Sequence, residues 1–233
     1  MRGLLVRVGI DSACGAWNGP VRRTSGEFVY VPIPESQPQR SRFRTSYKDF
    51  LDPTSRLGDR LPARLRSLAT HLDPDFAHLT YGDQGQRGAR LAHLTRGDLL
   101  AFYAGLRSIE GDRSLVYALI GLYVVKEIVR VADVEPEHRG DNAHTRRAEA
   151  DGADVVVRAD AAASGRLERC IPIGEYRDRA YRVRRDLLAA WGDLDITDGY
   201  IQRSARLPAF RDALRFYQWF LGHRPHLLVA NNP

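Results

Sequence analysis

The chain has 233 residues, of which 43% are hydrophobic and 27% are charged, values that suit one folded domain with a buried core and exclude extended disorder. No apolar run approaches the roughly 20 residues that span a bilayer, and Arg7 interrupts the first apolar stretch too early for a signal peptide, so we expect a cytoplasmic protein without a membrane partner. The net charge of +6 favours nucleic acid as a partner, and the alternative is that arginine replaces lysine on solvated faces in a protein of a GC-rich genome.

The N-terminal part of the chain contains two predicted strands and one predicted helix. Apolar residues predict a buried strand at Leu4–Ile10, which runs into a loop rich in Gly, Ser, Asn and Pro at Asp11–Pro20. A second strand is predicted at Phe28–Val31, before two prolines. Leucines at helical spacing predict a helix over Leu61–Leu72.

The middle of the chain is predicted to be rich in strands. Leu99–Tyr103 and Leu115–Val125 are apolar, and Gly121 in the second of them indicates a bulge or a close approach. A short strand is predicted at Val155–Val157. Between them, the charged segment Glu135–Gly152 is predicted to be an exposed loop.

The C-terminal part is predicted to be helical. Four apolar side chains share one helical face in the first predicted helix: Tyr181, Leu187, Leu188 and Trp191. A second helix is predicted over Pro208–Leu221, with Phe210, Leu214, Tyr217 and Leu221 facing the core. This order of elements predicts a single α+β domain, with a mostly antiparallel, barrel-like sheet over about residues 1–175 and a helical extension over about 176–233.

Several motifs of enzymes and cofactor-binding proteins are absent from the sequence. It has no Gly-x-x-x-x-Gly-Lys-Ser/Thr loop, no Gly-x-Gly-x-x-Gly after the first strand, and no Gly-x-Ser-x-Gly elbow. The histidines show no zinc-binding spacing, and Cys14 and Cys170 are read as unrelated thiols. We therefore predict no cofactor and no metal.

The loop after the first strand carries the first candidate site. Trp17 offers a stacking face for an unpaired base, and Asp11, Ser12 and Asn18 offer groups that read its polar edge. The alternative is an ordinary turn, in which Asp11 and Ser12 bond to nearby backbone and Trp17 covers the core.

A second candidate site follows the predicted helix in the N-terminal half. Tyr81 offers another stacking face, Gly82 allows a ligand to come close, and Asp83 is a candidate base contact. Arg87 and Arg90, which come next, are candidate phosphate contacts. The alternative is an ordinary turn between two elements.

Further candidates lie in the strand-rich and C-terminal parts. Tyr103 ends an apolar strand and is a third candidate stacking face. Arg146, Arg147 and Arg203 are candidate phosphate contacts. The alternatives are a solvated charged loop around Arg146 and a helix cap near Arg203.

Two resemblances add to this interpretation. The hairpin over Arg96–Val125 resembles the central hairpin of PUA-like domains (EVE, YTH and ASCH), small barrels that hold a flipped or modified base. Six stretches of the chain carry the second resemblance: Leu5–Ser12, Gly15–Asn18, Phe28–Pro34, Thr80–Asp83, Pro172–Glu175 and Asp198–Ser204. Through these stretches the whole chain resembles a bacterial family, nucleotide-modification-associated domain type three. This resemblance implies a link to DNA base modification or to restriction of modified DNA.

Three functional hypotheses remain open. The leading hypothesis is a PUA-like barrel with C-terminal helices that binds DNA rather than RNA and recognises a modified or flipped base, with modification or restriction proteins as partners. The second is a hydrolase or transferase acting on a base or glycosidic bond, with Asp11 and Asp83 as catalytic candidates. The third is an interaction module whose basic surface has no catalytic role.

Overall fold

The computed structural model describes residues 1–12, 15, 17–51, 61–202 and 207–232 and has an α+β fold with one large mixed sheet. The strands are β1 (Gly3–Arg7), β2 (Pro20–Val21), β3 (Ile33–Pro34), β4 (Thr70–His71), β5 (Thr80–Asp83), β6 (Leu99–Ser108), β7 (Leu115–Arg130), β8 (Val155–Ala159), β9 (Gly165–Pro172), β10 (Gly174–Arg177), β11 (Ala180–Val183) and β12 (Leu227–Leu228). The α-helices are α1 (Tyr47–Phe50), α2 (Gly85–Ala92), α3 (Ala143–Arg146), α4 (Arg185–Trp191) and α5 (Ala213–Gly222). Within the described residues, no helix combines the length and the apolar character needed to cross a membrane.

The long strand β7 organises the main sheet. It pairs antiparallel with β6 and β9 through its first part and with β8 through Val125–Arg130. Strands β1 and β2 pair parallel with β6, whereas β5 and β12 pair antiparallel with β8 and β9. The predicted α+β class is confirmed. The sheet is mixed, however, and the strands in the described ranges form no closed barrel, so the predicted PUA-like barrel is not found.

Strand β6 is buried on both faces of the sheet. Leu100 and Phe102 point into one core, and Leu99 and Ala101 point into another. The first core is centred on Phe76, and the second contains the buried faces of α4 and α5. Burial on both faces explains why this strand is a continuous apolar run in the sequence rather than an alternating one.

A bulge interrupts the pairing of β6 with β7, as predicted at Gly121. Phe102 pairs with Gly121 and Tyr103 pairs with Leu119, which leaves one extra residue in β7. The aromatic ring of Phe76 packs against this point, so an added Cβ at Gly121 would lie 2.4 Å from its Cε1 atom. Glycine is therefore required at position 121 by the close approach of the core aromatic.

We expect Gly121→Ala to lower the free energy of unfolding by about 1–3 kcal/mol, because the methyl group must displace Phe76 or bend β7. Chemical denaturation measures the change. Gly222→Ala is the control, since nothing lies within 4 Å of a Cβ added at Gly222 and no destabilisation is expected there. Equal stability of the two variants would contradict the close packing at Gly121.

The predicted helix over Pro208–Leu221 begins five residues late, at Ala213. Asp212 is its N-cap, and the carboxylate of Asp212 accepts a hydrogen bond from the backbone N–H of Arg215 at 2.9 Å. A capping aspartate marks the first turn of a helix. The residues before it instead pair with β1, where the N–H of Phe210 donates to the carbonyl of Gly3.

The later start of α5 changes which side chains face the core. Phe216 and Phe220, four residues apart, are buried, and Tyr217 is partly buried. Phe210 is buried just ahead of the helix. Leu214 and Leu221, both predicted to face the core, are 52% and 49% exposed.

The predicted helix over Leu61–Leu72 is wrong. Only a short 3-10 turn forms at Ala63–Leu65, and Leu68 is exposed. The backbone of this segment pairs with a neighbouring part of the chain instead, for example through the N–H of Tyr47 and the carbonyl of Leu68. Tertiary pairing has overridden the helical spacing of the leucines.

The strand predicted at Phe28–Val31 is reduced to one bridge between Phe28 and Val21. The segment is buried, but the backbone of Tyr30 pairs with a side chain rather than a strand. Its N–H donates to Oδ1 of Asn232, and its carbonyl accepts from Nδ2 of the same residue, both at 2.9 Å.

Tyr181 lies on a strand, not on a C-terminal helix. Strands β10 and β11 form a hairpin in which Asp178 and Arg179 are the two turn residues, with positive φ values of 51° and 61°. Two consecutive residues of positive φ form the turn that suits the twist of a two-residue hairpin. The first helix of this region therefore begins later, at Arg185.

Candidate functional site

A cleft of about 340 Å³ lies where β1, β5, α2 and α3 come together. Its charged and imidazole side chains are Arg7, Asp11, Glu35, His71, Asp73, Asp83, Arg87, His144 and Arg147. Small-molecule sites in proteins are typically about 300–1,000 Å³, so the cleft suits one small ligand. Asp11 and Asp83, the two predicted catalytic candidates, both line it.

Helix α3 lies in the segment that was predicted to be an exposed loop, and it is buried. Asn142 caps it by accepting from the N–H of His144 at 2.9 Å. The Asn142 amide also donates to Oδ1 of Asp73 at 3.1 Å and to the hydroxyl of Thr80 at 3.2 Å. The exposed-loop prediction is wrong for residues 142–147, which are buried with hydrogen-bond partners such as Asp73 and Thr80, so their burial carries little penalty. The flanking residues 135–138 and 148–149 are exposed, as predicted.

Two buried imidazoles face one carboxylate at the floor of the cleft. Nδ1 of His71 is 2.7 Å from the carboxylate of Glu35, and Nδ1 of His144 is 2.6 Å from that of Asp154. The opposite ring atoms, the two Nε2 atoms, lie 3.9 Å and 3.5 Å from Oδ2 of Asp73. These ligand atoms of His71, Asp73 and His144 all lie within 4.8 Å of one another, so the three residues could hold a cation.

Arg147 joins the two carboxylates that orient the imidazoles. Its guanidinium nitrogens lie 3.5 Å from Glu35 and 3.5 Å from Asp154. Its side chain is 10% exposed and belongs to the network under the cleft. The predicted phosphate contact is thus engaged with carboxylates, although it also lines the cleft.

The network shifts the pKa values of two of its members. Burial alone would lower the pKa of His144, but its hydrogen bonds to Asp154 and Asp73 raise it to about 9. Burial alone would raise the pKa of Glu35, but the hydrogen bond and the charge of His71 lower it to about 2. Both shifts favour the charged forms of these groups in the absence of any bound ion.

One wall of the cleft is a compact group formed by Tyr81, Asp83 and Arg87. The hydroxyl of Tyr81 donates to Asp83 at 2.7 Å and accepts from the guanidinium of Arg87 at 2.7 Å. Nε of Arg87 lies 2.7 Å from the same carboxylate. Burial, followed by the charge of Asp83, raises the pKa of Tyr81 well above its ordinary value.

Another part of the cleft lining carries Arg7 and Asp11. A guanidinium nitrogen of Arg7 lies 2.6 Å from the carboxylate of Asp11, and another bonds to the carbonyl of Gln202. Each wall therefore presents a carboxylate paired with a guanidinium group. Such a pair can accept from amino groups of a ligand and donate to its phosphate or carbonyl oxygens.

Gly82 lets α3 approach β5. A Cβ added at Gly82 would lie 2.6 Å from Cδ2 of His144 and 2.8 Å from Oδ1 of Asn142. The backbone N–H of Gly82 donates to both carboxylate oxygens of Asp73, at 2.9 Å each. The close approach that was expected for a ligand at Gly82 is therefore made by the side chains of His144 and Asn142.

The predicted stacking residues do not converge on the cleft. Trp17 and Asn18 line a separate surface cleft with Arg107 and Arg113, and Asn18 donates to the carbonyl of Gly105 at 2.8 Å. The Tyr103 ring is 1% exposed.

Tyr81 and Ser12 complete the set of predicted base contacts. The ring of Tyr81 is 3% exposed and packs on Phe102, with ring centroids 5.3 Å apart. Ser12 is exposed and is not among the residues that line the cleft. Tyr81 therefore reaches the cleft as part of its polar wall rather than as an open aromatic face.

The predicted phosphate contacts are also dispersed. Arg90 pairs with Asp195 at 3.1 Å. Arg146 is buried and pairs with Asp75 at 2.5 Å. Arg203 lies outside the described residues. Of the five arginines, Arg87 and Arg147 line the cleft.

Sequence reasoning missed Glu35, His71, Asp73 and Asp154. Zinc-type spacing could not reveal the two histidines as partners, because His71 and His144 are far apart in the chain and meet only in the fold, where β4 and α3 bring their ring centroids to 5.1 Å. The available signal is local: Asn142 and His144 place an amide and an imidazole two residues apart in a charged segment.

The comparisons with known proteins identify the family. No match to the chain was found among curated proteins or among solved structures. The family model of nucleotide modification associated domain 3 matches residues 2–221. The match covers nearly the whole chain, which therefore belongs to the nucleotide modification associated domain 3 family.

Proposed function

We propose that the protein binds nucleic acid and receives a single nucleotide of it, with the base out of the stack, in the cleft. In this proposal it works within a system that modifies nucleotides or restricts modified DNA, together with the proteins of that system. Membership of the nucleotide modification associated domain 3 family supports a role in such a system. The net charge of +6 supports attraction to a polyanion.

The observation that carries the proposal is the convergence of two separate sequence motifs on one cleft. Asp11 follows β1, and Asp83 ends β5, yet both line the same space of about 340 Å³. Enzymes and readers that reach a base inside a duplex hold the extruded nucleotide in a fitted pocket and contact its polar edge. The cleft is lined by the hydrogen-bonding groups that this requires.

The chemistry of the walls favours a nucleotide with an amino-bearing base. The carboxylates of Asp11 and Asp83 accept hydrogen bonds, as from the exocyclic amino group of cytosine or adenine. Arg7 and Arg87 offer donors to phosphate oxygens. Tyr81, whose ring is covered by Phe102, serves in this proposal to hold Asp83 and Arg87 rather than to stack on the base.

A second candidate function is catalysis on the base or its glycosidic bond. The specific observation in its favour is the pair of imidazole–carboxylate contacts, Glu35 with His71 and Asp154 with His144, beneath the cleft. Imidazoles oriented by carboxylates are common in acid–base chemistry. Incubation with oligonucleotides, followed by mass spectrometry of released bases and altered strands, separates catalysis from binding alone.

We expect Arg87→Ala to weaken binding of an oligonucleotide containing one unpaired base by about 10- to 150-fold, which corresponds to the loss of a charged hydrogen bond of about 1.5–3 kcal/mol. Fluorescence anisotropy measures the affinity. Arg90→Ala is the matched control, because Arg90 lies on the same helix and is also ion-paired but does not line the cleft.

The Arg90→Ala variant should bind within about threefold of the unchanged protein, since a surface ion pair contributes about 0–1 kcal/mol. Competition with deoxynucleoside monophosphates adds a second readout, because an occupied cleft should release the unpaired-base oligonucleotide. Equal losses in both variants, or no competition by any monophosphate, would contradict binding in the cleft.

A further inference from the structure

We propose that His71, Asp73 and His144 bind a divalent first-row transition-metal ion at the floor of the cleft. The three residues offer two imidazole nitrogens and one carboxylate oxygen, all within 4.8 Å of one another. The proposal does not depend on nucleotide binding, because all three ligands are side chains of the protein. All three side chains are buried but line the cleft, so a bound ion would remain within reach of a ligand there.

The orientation of the imidazoles is the strongest support for a metal site. Each Nδ1 atom is engaged by a buried carboxylate, that of Glu35 for His71 and that of Asp154 for His144. Each Nε2 atom is thereby turned toward Asp73. Histidines that ligate metals almost always donate their other ring N–H to a carboxylate, a carbonyl or water, and this fixes the ring and raises its basicity as a ligand. Here that arrangement occurs twice around one carboxylate.

Asp73 is held so that one of its oxygens faces the imidazoles. Oδ1 accepts from the Asn142 amide at 3.1 Å, and the backbone N–H of Gly82 lies 2.9 Å from each oxygen. Oδ2 is the atom that both Nε2 atoms approach. Ligating carboxylates in metal sites are themselves fixed by hydrogen bonds of this kind.

The charges of the cluster match a divalent ion. Glu35, Asp73 and Asp154 carry three negative charges, against the one positive charge of Arg147, which contacts Glu35 and Asp154. A divalent cation bound to two neutral imidazoles would neutralise the negative charge that remains. Two protonated imidazoles would also neutralise it, so metal binding has to be measured directly.

The donor set selects among metals. Imidazole suits zinc, iron, copper and nickel, whereas magnesium and calcium prefer oxygen ligands throughout. Two histidines and one carboxylate leave at least one coordination position open, as in catalytic rather than structural sites. A ligand in the cleft or a water molecule would occupy that position.

Titration of the chelator-treated protein with Co²⁺ tests the site, because protein-bound Co²⁺ absorbs in the visible region. Zn²⁺ then competes for the same position, and elemental analysis of the Zn²⁺-loaded protein gives the stoichiometry. We expect one equivalent of metal and a rise in melting temperature with Zn²⁺, since an ion that binds only the folded state stabilises it. Each protein in this titration carries Cys14→Ser, so that the thiol of Cys14, which lies outside the described residues, cannot bind Co²⁺.

Two variants of the ligands and one matched control make the result specific. His71→Ala and Asp73→Asn should each lose the bound equivalent and the Zn²⁺-dependent rise in melting temperature. Glu35→Gln, which keeps all three ligands, should weaken metal binding by about 10- to 100-fold. His226→Ala is the control, because His226 also pairs with a carboxylate, that of Glu168, but is exposed and does not line the cleft.

The proposal is overturned if the unchanged protein binds no Co²⁺ and gains no stability from Zn²⁺. It is equally overturned if His226→Ala removes the bound metal as completely as His71→Ala. Circular dichroism of each variant establishes that it is folded, and Glu35→Gln provides a second test if a ligand variant does not fold. Because no nucleotide is present in these measurements, their failure would leave the binding of nucleotides in the cleft untouched.

Discussion

Replacement of Asp75 by alanine should lower the free energy of unfolding by about 3–5 kcal/mol, because it leaves a buried guanidinium without its partner. The carboxylate of Asp75 is fully buried and accepts from the guanidinium of Arg146 at 2.5 Å. It also accepts from the amide of Asn231 and the imidazole of His78, both at 2.9 Å. Urea denaturation measures the loss.

The same carboxylate explains why Arg146 is a structural residue. Burial alone would raise the pKa of Asp75, but the hydrogen bond of His78 and the charge of Arg146 hold it below its ordinary value. Arg146→Ala should therefore cause a loss of the same order as Asp75→Ala. Asp133→Ala, at an exposed position, should change stability by no more than about 0.5 kcal/mol. A stable Asp75→Ala protein would show that this network contributes little to folding.

Affinity for DNA should fall by about 10³-fold or more between 50 and 200 mM salt if six or more phosphates are contacted, because each neutralised phosphate releases condensed counterions. The motivation is the net charge of +6 and the dominance of arginine, since lysine occurs only at Lys48 and Lys126. Titrations at four or five salt concentrations give the slope of log K against log salt.

Single arginine-to-alanine variants show which arginines contribute to that slope. Each arginine that contacts a phosphate should reduce the slope by about one when it is replaced by alanine. Arg146 is excluded from this set by its burial. Binding that does not change with salt, or no binding even at 50 mM, would mean that the basic composition has no role in nucleic-acid binding.

The strands of the central sheet could be predicted because their apolar runs are long. Leu99–Tyr103 is buried on both faces of the sheet, as is most of Leu115–Val125, so almost every residue of these runs is apolar. The bulge at Gly121 followed from glycine within such a run.

The start of α5 could not be read from Pro208, because a proline permits a first turn and does not require one, whereas the Asp212 side chain caps the first turn.

The candidate site was predictable only in part. Asp11 and Asp83 stand at the ends of strands, where side chains of a binding site are commonly displayed, and both line the cleft. The pairing of His71 with His144 depends on hydrogen bonds between side chains distant in sequence. A polar composition around residue 144 indicates solvent exposure unless those hydrogen bonds are known, so the sequence alone predicts an exposed loop there.

The absence of a side chain at Gly82 has a consequence for sequence evolution. His144 and Asn142 occupy the volume that any larger residue at position 82 would need. A substitution at one position therefore constrains what the others can accept. In an alignment of the family, we expect chains that keep histidine and asparagine at these positions to keep glycine opposite them, and chains that lose the glycine to lose the imidazole as well. Such linked variation would trace which members retain the floor of the cleft.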